Sequence, residues 1–260
     1  MEHILLFDIG NTNTKVAIAG SGSALTAFTL PTRADTTADE LGLAIVQFCQ
    51  YVRIDTRAVT AWVVSSVVES CNALLRDACA RFFSCPVYFV PADLPIALEN
   101  RYARPLEVGA DRLVTAFAAR RLFSQPNLIV VDFGTATTVE CVQDSAYLGG
   151  LICPGLHSSL EALGSRTAKL PRISLEVADQ EFQFGQSTVQ SMNLGMVHGF
   201  AAMITGLTEK IRHKVGPALV VATGGHAPKI AAVCAAINEV RSDLLFYGLH
   251  TAWLENRPQQ

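Results

Sequence analysis

Two stretches of the chain alternate apolar runs and small polar turns in the same way. Leu5-Leu6-Phe7 leads into Asp8-Ile9-Gly10-Asn11-Thr12-Asn13-Thr14 and then an apolar run from Lys15 to Ala19. Val130-Val131 leads into Asp132-Phe133-Gly134-Thr135-Ala136-Thr137-Thr138 and then Val139 to Val142. A branched apolar run, an Asp-x-Gly turn and a second apolar run spell strand, tight turn, strand. The two aspartates lie 124 residues apart, so two such units nearly fill the 260 residues and a duplicated domain is predicted. Further strands are expected at Ala24 to Leu30, Ala61 to Ser66, Val87 to Val90, Ala146 to Ile152 and Ala218 to Ala222. Thr37 with Glu40 three residues on is a capping box ahead of a helix whose apolar positions are Leu41, Ile45, Phe48 and Val52. Other helices are expected over Ala73 to Phe83, Gly109 to Phe123 and Ser191 to His213. This alternation argues an α/β fold with helices packed on mixed sheets. Pro86, Pro91, Pro95 and Pro105 mark a connector, which sets the expected domains at 1–113 and 114–260, facing each other across a nucleotide cleft.

Composition narrows the partners. Half of the residues are hydrophobic and 17% are charged, which excludes a disordered chain. The formal net charge is -3 with no basic stripe, so no nucleic-acid partner is expected. Apolar runs such as Ile230 to Ile237 fall far short of a bilayer span, so no membrane association is expected. The start Met1-Glu2-His3 lacks the basic region of a signal peptide, and a cytoplasmic location is the expectation. Seven cysteines without a Cys-x-x-Cys pair read as reduced core residues. The six histidines lack the close pairs of a zinc site, and no Gly-x-Ser-x-Gly elbow points to a hydrolase.

The candidate chemistry lies in the turns. Gly10 permits a sharp turn with close backbone approach, and the Asn and Thr residues after it offer amides and hydroxyls to phosphoryl oxygens. Lys15 can offset charge, and Asp8 at a strand end is placed to hold Mg2+ directly or through water. One such turn alone would also suit an ordinary polar hairpin. The second copy, with Asp132, Gly134 and Thr135, favours a clamp for a nucleoside triphosphate. A third cluster, Thr223-Gly224-Gly225-His226, follows an apolar strand and lets backbone pack flat on an adenine or ribose. In the helix from Gly109, Asp111 sits in the first turn, where the dipole favours its ionised form and it can accept a hydroxyl proton.

These three segments, in this order, resemble the phosphate 1, phosphate 2 and adenosine motifs of the acetate kinase, sugar kinase and actin superfamily. Tyr102-Ala103-Arg104-Pro105-Leu106-Glu107-Val108-Gly109-Ala110-Asp111-Arg112 resembles the substrate loop and Gly-Ala-Asp-Arg signature of the type III pantothenate kinase family. Gly149-Gly150-Leu151-Ile152-Cys153-Pro154-Gly155 and Phe184-Gly185-Gln186-Ser187-Thr188 extend the likeness nearly end to end. The resemblance implies two duplicated actin-like (ribonuclease H-like) domains and ATP-dependent phosphorylation of pantothenate to 4'-phosphopantothenate, the first step of coenzyme A biosynthesis. It implies ATP binding by Asp8, Ile9, Gly10, Asn11, Thr12, Asn13, Thr14, Lys15, Thr135, Gly224 and Gly225, with Asp111 as proton acceptor. Tyr102, Gly109, Ala110, Asp111, Arg112 and Thr188 match pantothenate contacts, Arg112 facing the carboxylate. Asp132 matches the ligand of a monovalent cation, K+ or NH4+, used beside Mg2+. The family's homodimers have substrate sites near the interface. Two other functions stay open at this stage: a non-enzymatic, transcription-activating accessory role within the family, and a kinase for another small hydroxy acid. The chain departs from the family at Arg104, where Asn is common, at Glu140, where Asp is common, and at Ser187, where Asn is common.

Overall fold

Strand formation follows the branched and aromatic apolar residues of the alternating segments, and helices fill the intervals between them. The computed structural model describes residues 2–20, 26–167, 169–175 and 182–257. It divides into two units. The first comprises Met1–Leu98, Arg104–Ala118 and Asp243–Gln260, and the second Glu99–Ala103 and Ala119–Ser242.

In the first unit, β1 (His3–Ile9), β2 (Asn13–Gly20), β3 (Thr26–Pro31), β4 (Val59–Ser66) and β5 (Val87–Phe89) form one sheet in the order β3-β2-β1-β4-β5. The expected Ala24 and Leu25 of the third strand lie outside the described residues. β1 runs antiparallel to β2 and parallel to β4, and the sheet is therefore mixed. Its central strand is buried on both faces, as its unbroken apolar run requires. One face carries Leu5, Phe7, Trp62 and Val64 against α1 (Ala38–Tyr51) and α2 (Ser70–Phe82). The other carries Ile4, Leu6, Ala61 and Val63 against α3 (Ala110–Leu122) and the C-terminal helix α7 (Leu244–Asn256). The capping box forms: Glu40 N donates to Thr37 Oγ1 at 3.2 Å while Thr37 N donates to Glu40 Oε2 at 3.0 Å. A Cβ on Gly248 would stand 2.7 Å from the Val114 carbonyl oxygen, so only glycine lets α7 approach α3 this closely.

The second unit repeats the plan. β7 (Asn127–Phe133), β8 (Ala136–Gln143), β9 (Ala146–Pro154), β10 (Leu219–Thr223) and β11 (Glu239–Val240) take the order β11-β10-β7-β8-β9, and β6 (Glu99–Asn100) is added beside β9. β7 is antiparallel to β8 and parallel to β10, as β1 is to β2 and β4. One core joins Ile129, Val131, Phe133 and Val139 to α4 (Leu156–Arg166), α5 (Thr188–Val215) and α6 (Ala227–Ala231). α5 begins three residues before the expected Ser191 and carries Met192, Met196 and Val197 on its buried side. Two mixed sheets with packed helices bear out the α/β reading. Among the described residues no helix is long and apolar enough to cross a membrane.

Candidate active site

Asp8 is the last polar residue of β1 before the turn, and antiparallel pairing sets it opposite Lys15. Lys15 Nζ lies 3.2 Å from Asp8 Oδ2. The Asp8 side chain is only 15% exposed. Burial pushes its carboxyl above the usual carboxylate range, and the Lys15 ammonium offsets part of that rise. Gly10 N donates to Asn13 O at 3.0 Å and closes the turn. Asn11, Thr12 and Asn13 are exposed, whereas Ile9 and Thr14 are buried. The Thr14 hydroxyl is shared with Thr32 Oγ1 at 2.9 Å, and Thr32 N donates to Thr12 O at 3.0 Å, so the residue that follows β3 braces the loop. Thr32 was not legible as part of this turn, being a lone threonine beyond an apolar run.

Asp111 reaches the same end of the first sheet by a short chain of contacts. Val67, just after β4, donates its N–H to Ile9 O at 3.1 Å. Gly109 is wedged between Val67 and Asp111: a Cβ there would lie 3.2 Å from Val67 Cγ1 and 2.5 Å from Asp111 Oδ1. Asp8 shares a strand face with Ile4 and Leu6, which pack with Val114 and Phe117 of α3, so the face bearing Asp8 is the one α3 covers. Asp111 accepts from Arg112 N at 2.8 Å, and Arg112 itself is buried. Ala110 is half-buried at the start of α3.

One residue here escaped the sequence reading. Ser65 ends the apolar run of β4, pairs in register with Asp8 and is buried, yet among the described residues its hydroxyl has no hydrogen-bond partner. A Ser-Ser pair closing a hydrophobic strand was its only outward signal.

In the second unit Asp132 pairs with Thr138 across the hairpin and with Thr223 of β10. Gly224 adopts φ +89, and a Cβ there would strike the Asp132 carboxylate and sit 2.7 Å from the Phe133 carbonyl. Gly224 is thus fixed as glycine by conformation and by space, while Gly225 faces open space. Thr135 is exposed, and its carbonyl accepts from Ser158 Oγ at 3.1 Å. The structure therefore brings Asp132 and Gly224 together.

Tyr102 lies against β9, where its ring covers Gly149 and sits 6.4 Å from the Tyr147 ring. Tyr147 donates to the buried Glu140 at 2.6 Å. Arg104 pairs with Glu107 at 2.9 Å, its side chain 78% exposed. Thr188 is exposed at the first position of α5, after the Ser187 cap that accepts from Gln190 N at 3.2 Å. It lines an open cavity of about 810 Å³ with Gln186, Ser191 and Met192.

Among the described residues no three His, Cys, Asp or Glu side chains gather as a metal cage. Mg2+ does not need one, since it is held through one or two carboxylates with water and substrate phosphates filling the rest. Asp8 fits that use: a largely buried carboxylate with one cationic neighbour keeps acceptor capacity for a second cation. Asp132, beside the Phe133 carbonyl, offers the oxygen donors a hard monovalent cation takes.

Residues 4–210 match the family model of type III pantothenate kinase. The type III pantothenate kinase of Nitratidesulfovibrio vulgaris is 52% identical over 257 residues, covering 98% of both chains. Among solved structures, the ethanolamine utilization protein EutJ of Carboxydothermus hydrogenoformans aligns with a TM-score of 0.57 at 15% identity, over 97% of this chain and 89% of that one. The inorganic polyphosphate/ATP-glucomannokinase of Arthrobacter sp. strain KM aligns at 0.53 with 13% identity, over 98% and 100%. Such distant likenesses speak for the fold alone, whereas the sequence match extends over nearly the whole chain. This chain belongs to the type III pantothenate kinase family.

Proposed function

We propose that this protein transfers a phosphoryl group from ATP to the terminal 4'-hydroxyl of pantothenate, the first step of coenzyme A biosynthesis. Family membership supports the reaction and its substrate. The observation that carries the mechanism is the placement of Asp8 and Asp111 at one end and on one face of the first sheet. Phosphoryl transfer through a loose transition state asks a protein mainly for positioning and charge neutralisation. Asp111, in the first turn of α3, accepts the proton of the attacking hydroxyl. Lys15 moves from Asp8 to the phosphates, and the exposed Asn11, Thr12 and Asn13 supply further donors. Asp8 would hold Mg2+, which when bound neutralises charge on the phosphoryl oxygens. Asp132 would hold K+ or NH4+, and Thr135, Gly224 and Gly225 complete the nucleotide contacts. Arg112 receives the pantothenate carboxylate, where burial strengthens a bidentate guanidinium pair, and Tyr102, Gly109, Ala110 and Thr188 shape the rest. The matching strand order of the two sheets supports a duplicated, actin-like (ribonuclease H-like) origin. The protein works as a homodimer in which Thr188 serves the neighbouring subunit's site, and it acts in the cytoplasm.

The test is direct. Purified protein with ATP, Mg2+, K+ and pantothenate should yield 4'-phosphopantothenate, with less when Na+ replaces K+. ATP binding without product under either condition would overturn the catalytic reading.

A further inference from the structure

The inference concerns Ser65 and rests on the nucleotide reading of the first hairpin. Ser65 is 1% exposed and its Oγ has no hydrogen-bond partner among the described residues. A buried hydroxyl has given up its hydration, and native structures rarely leave that loss uncompensated. Its position is informative. In β4, Ala61 and Val63 share a cluster with Ile4 and Leu6, and the strand period of two adds Ser65 to that face. Asp8 is on the same face of β1, in register with Ser65. The central strand therefore presents Asp8 between two potential donors, Lys15 on β2 and Ser65 on β4, and only Lys15 is engaged, at 3.2 Å. The second sheet repeats the arrangement, with the buried Thr223 in register beside Asp132.

Lys15 cannot serve two anions equally. When it turns to the phosphates, Asp8 loses its one donor while remaining mostly buried. We propose that Ser65 is a positioning residue whose hydroxyl then donates to the inner oxygen of Asp8, leaving the outer oxygen aimed at the divalent cation. Donors behind a ligating carboxylate fix its orientation, and their loss weakens metal affinity by roughly 10–100-fold. In the nucleotide-free protein, by contrast, the unmade hydrogen bond gives Ser65 nothing to contribute to stability.

These two statements give Ser65→Ala opposite signs in two measurements. Nucleotide-free Ser65→Ala should melt at the same temperature as the wild type or a few degrees higher. Its affinity for Mn2+ in the presence of ATP, read by the paramagnetic resonance of free Mn2+, should fall about tenfold. Its affinity for metal-free ATP should stay unchanged. A purely structural Ser65 would lower the melting temperature and leave Mn2+ affinity intact, and that result overturns the proposal, as does a variant unchanged in both. Failure of the wild-type protein itself to bind Mn2+ with ATP would instead remove the nucleotide reading, and this proposal with it.

Discussion

In the first sheet the carboxylate near the end of the central strand faces a lysine across the hairpin, Asp8 opposite Lys15; in the second the same place sets Asp132 opposite Thr138. Strand order and direction are shared, so the backbone plan is common and the charge is not. The supports differ as well. The first turn is braced within its own sheet, by Thr32 on Thr12 and Thr14. The second leans on distant segments, with Gly224 after β10 pressed on Asp132 and Phe133 and Ser158 of α4 holding Thr135. The two units thus divide at the turn: the first sets its carboxylate against a lysine within its own sheet, and the second sets one among hydroxyls and backbone shaped by long-range packing.

The sharpest way to break this division is to neutralise one carboxylate in each unit. Asp111→Asn should lower kcat about 10²-fold or more while ATP still binds, because a proton acceptor acts in the transition state. Asp132→Asn should instead show its loss mainly as a changed dependence on K+. An equal, cation-independent loss of kcat from both would abolish the distinction.

A stability measurement sharpens the contrast between the turns. Gly224→Ala puts a Cβ at φ +89 into the Phe133 backbone and should cost roughly 2–4 kcal/mol in denaturant unfolding. Gly10→Ala meets only Asn13 O, at 3.2 Å, and should cost about 1 kcal/mol or less. Reversed values would mean that the first turn, not the second, is the one fixed by packing.

The pH dependence of Asp8 gives a smaller effect with a definite sign. Burial raises its folded-state pKa above the ordinary aspartate value of about 3.8. As pH climbs through the window just above 3.8, the unfolded chain releases this proton before the folded protein does, so the group subtracts stability as pH rises. Asp8→Asn removes that loss. The nucleotide-free variant should match the wild type in acid and melt a few degrees higher at neutral pH, while losing Mg2+-dependent activity. A lower melting temperature at neutral pH would show that the Lys15 bridge outweighs the burial of Asp8.

Much of this is legible in the sequence. Thr37 and Glu40 announce the cap of α1 because a capping box is local, and the Asp-Gly turns announce both hairpins because strand and turn residues are adjacent in sequence. What stayed hidden depends on partners far along the chain. Thr14 reads as a phosphate donor, and its bond to Thr32 appears only once the strands are paired. β6 falls within a stretch that reads as connector, since two residues become a strand only by pairing with β9. A linear boundary near residue 113 cannot express the return of α7 to the first sheet, where Gly248 meets Val114. Ser65 looks like the polar end of a strand until its neighbour Asp8 is known.

The smallest expected effect concerns the departure of the substrate loop from the family pattern. Arg104 stands two residues from Tyr102, but the neighbours differ in surroundings: Tyr102 is packed over Gly149, whereas Arg104 is 78% exposed and paired with Glu107 within one short turn. A solvated pair of this kind contributes about 0–1 kcal/mol, and its guanidinium is already answered by a carboxylate. Arg104→Ala should therefore leave stability and the KM for pantothenate within about 0.5 kcal/mol of the wild type, a factor of about two. A tenfold rise in KM with unchanged kcat would show instead that Arg104 leaves Glu107 for the bound carboxylate. In that event two cations, Arg104 and the buried Arg112, would share the substrate's charge, and the ionic chemistry assigned to the first unit would extend to its outer loop.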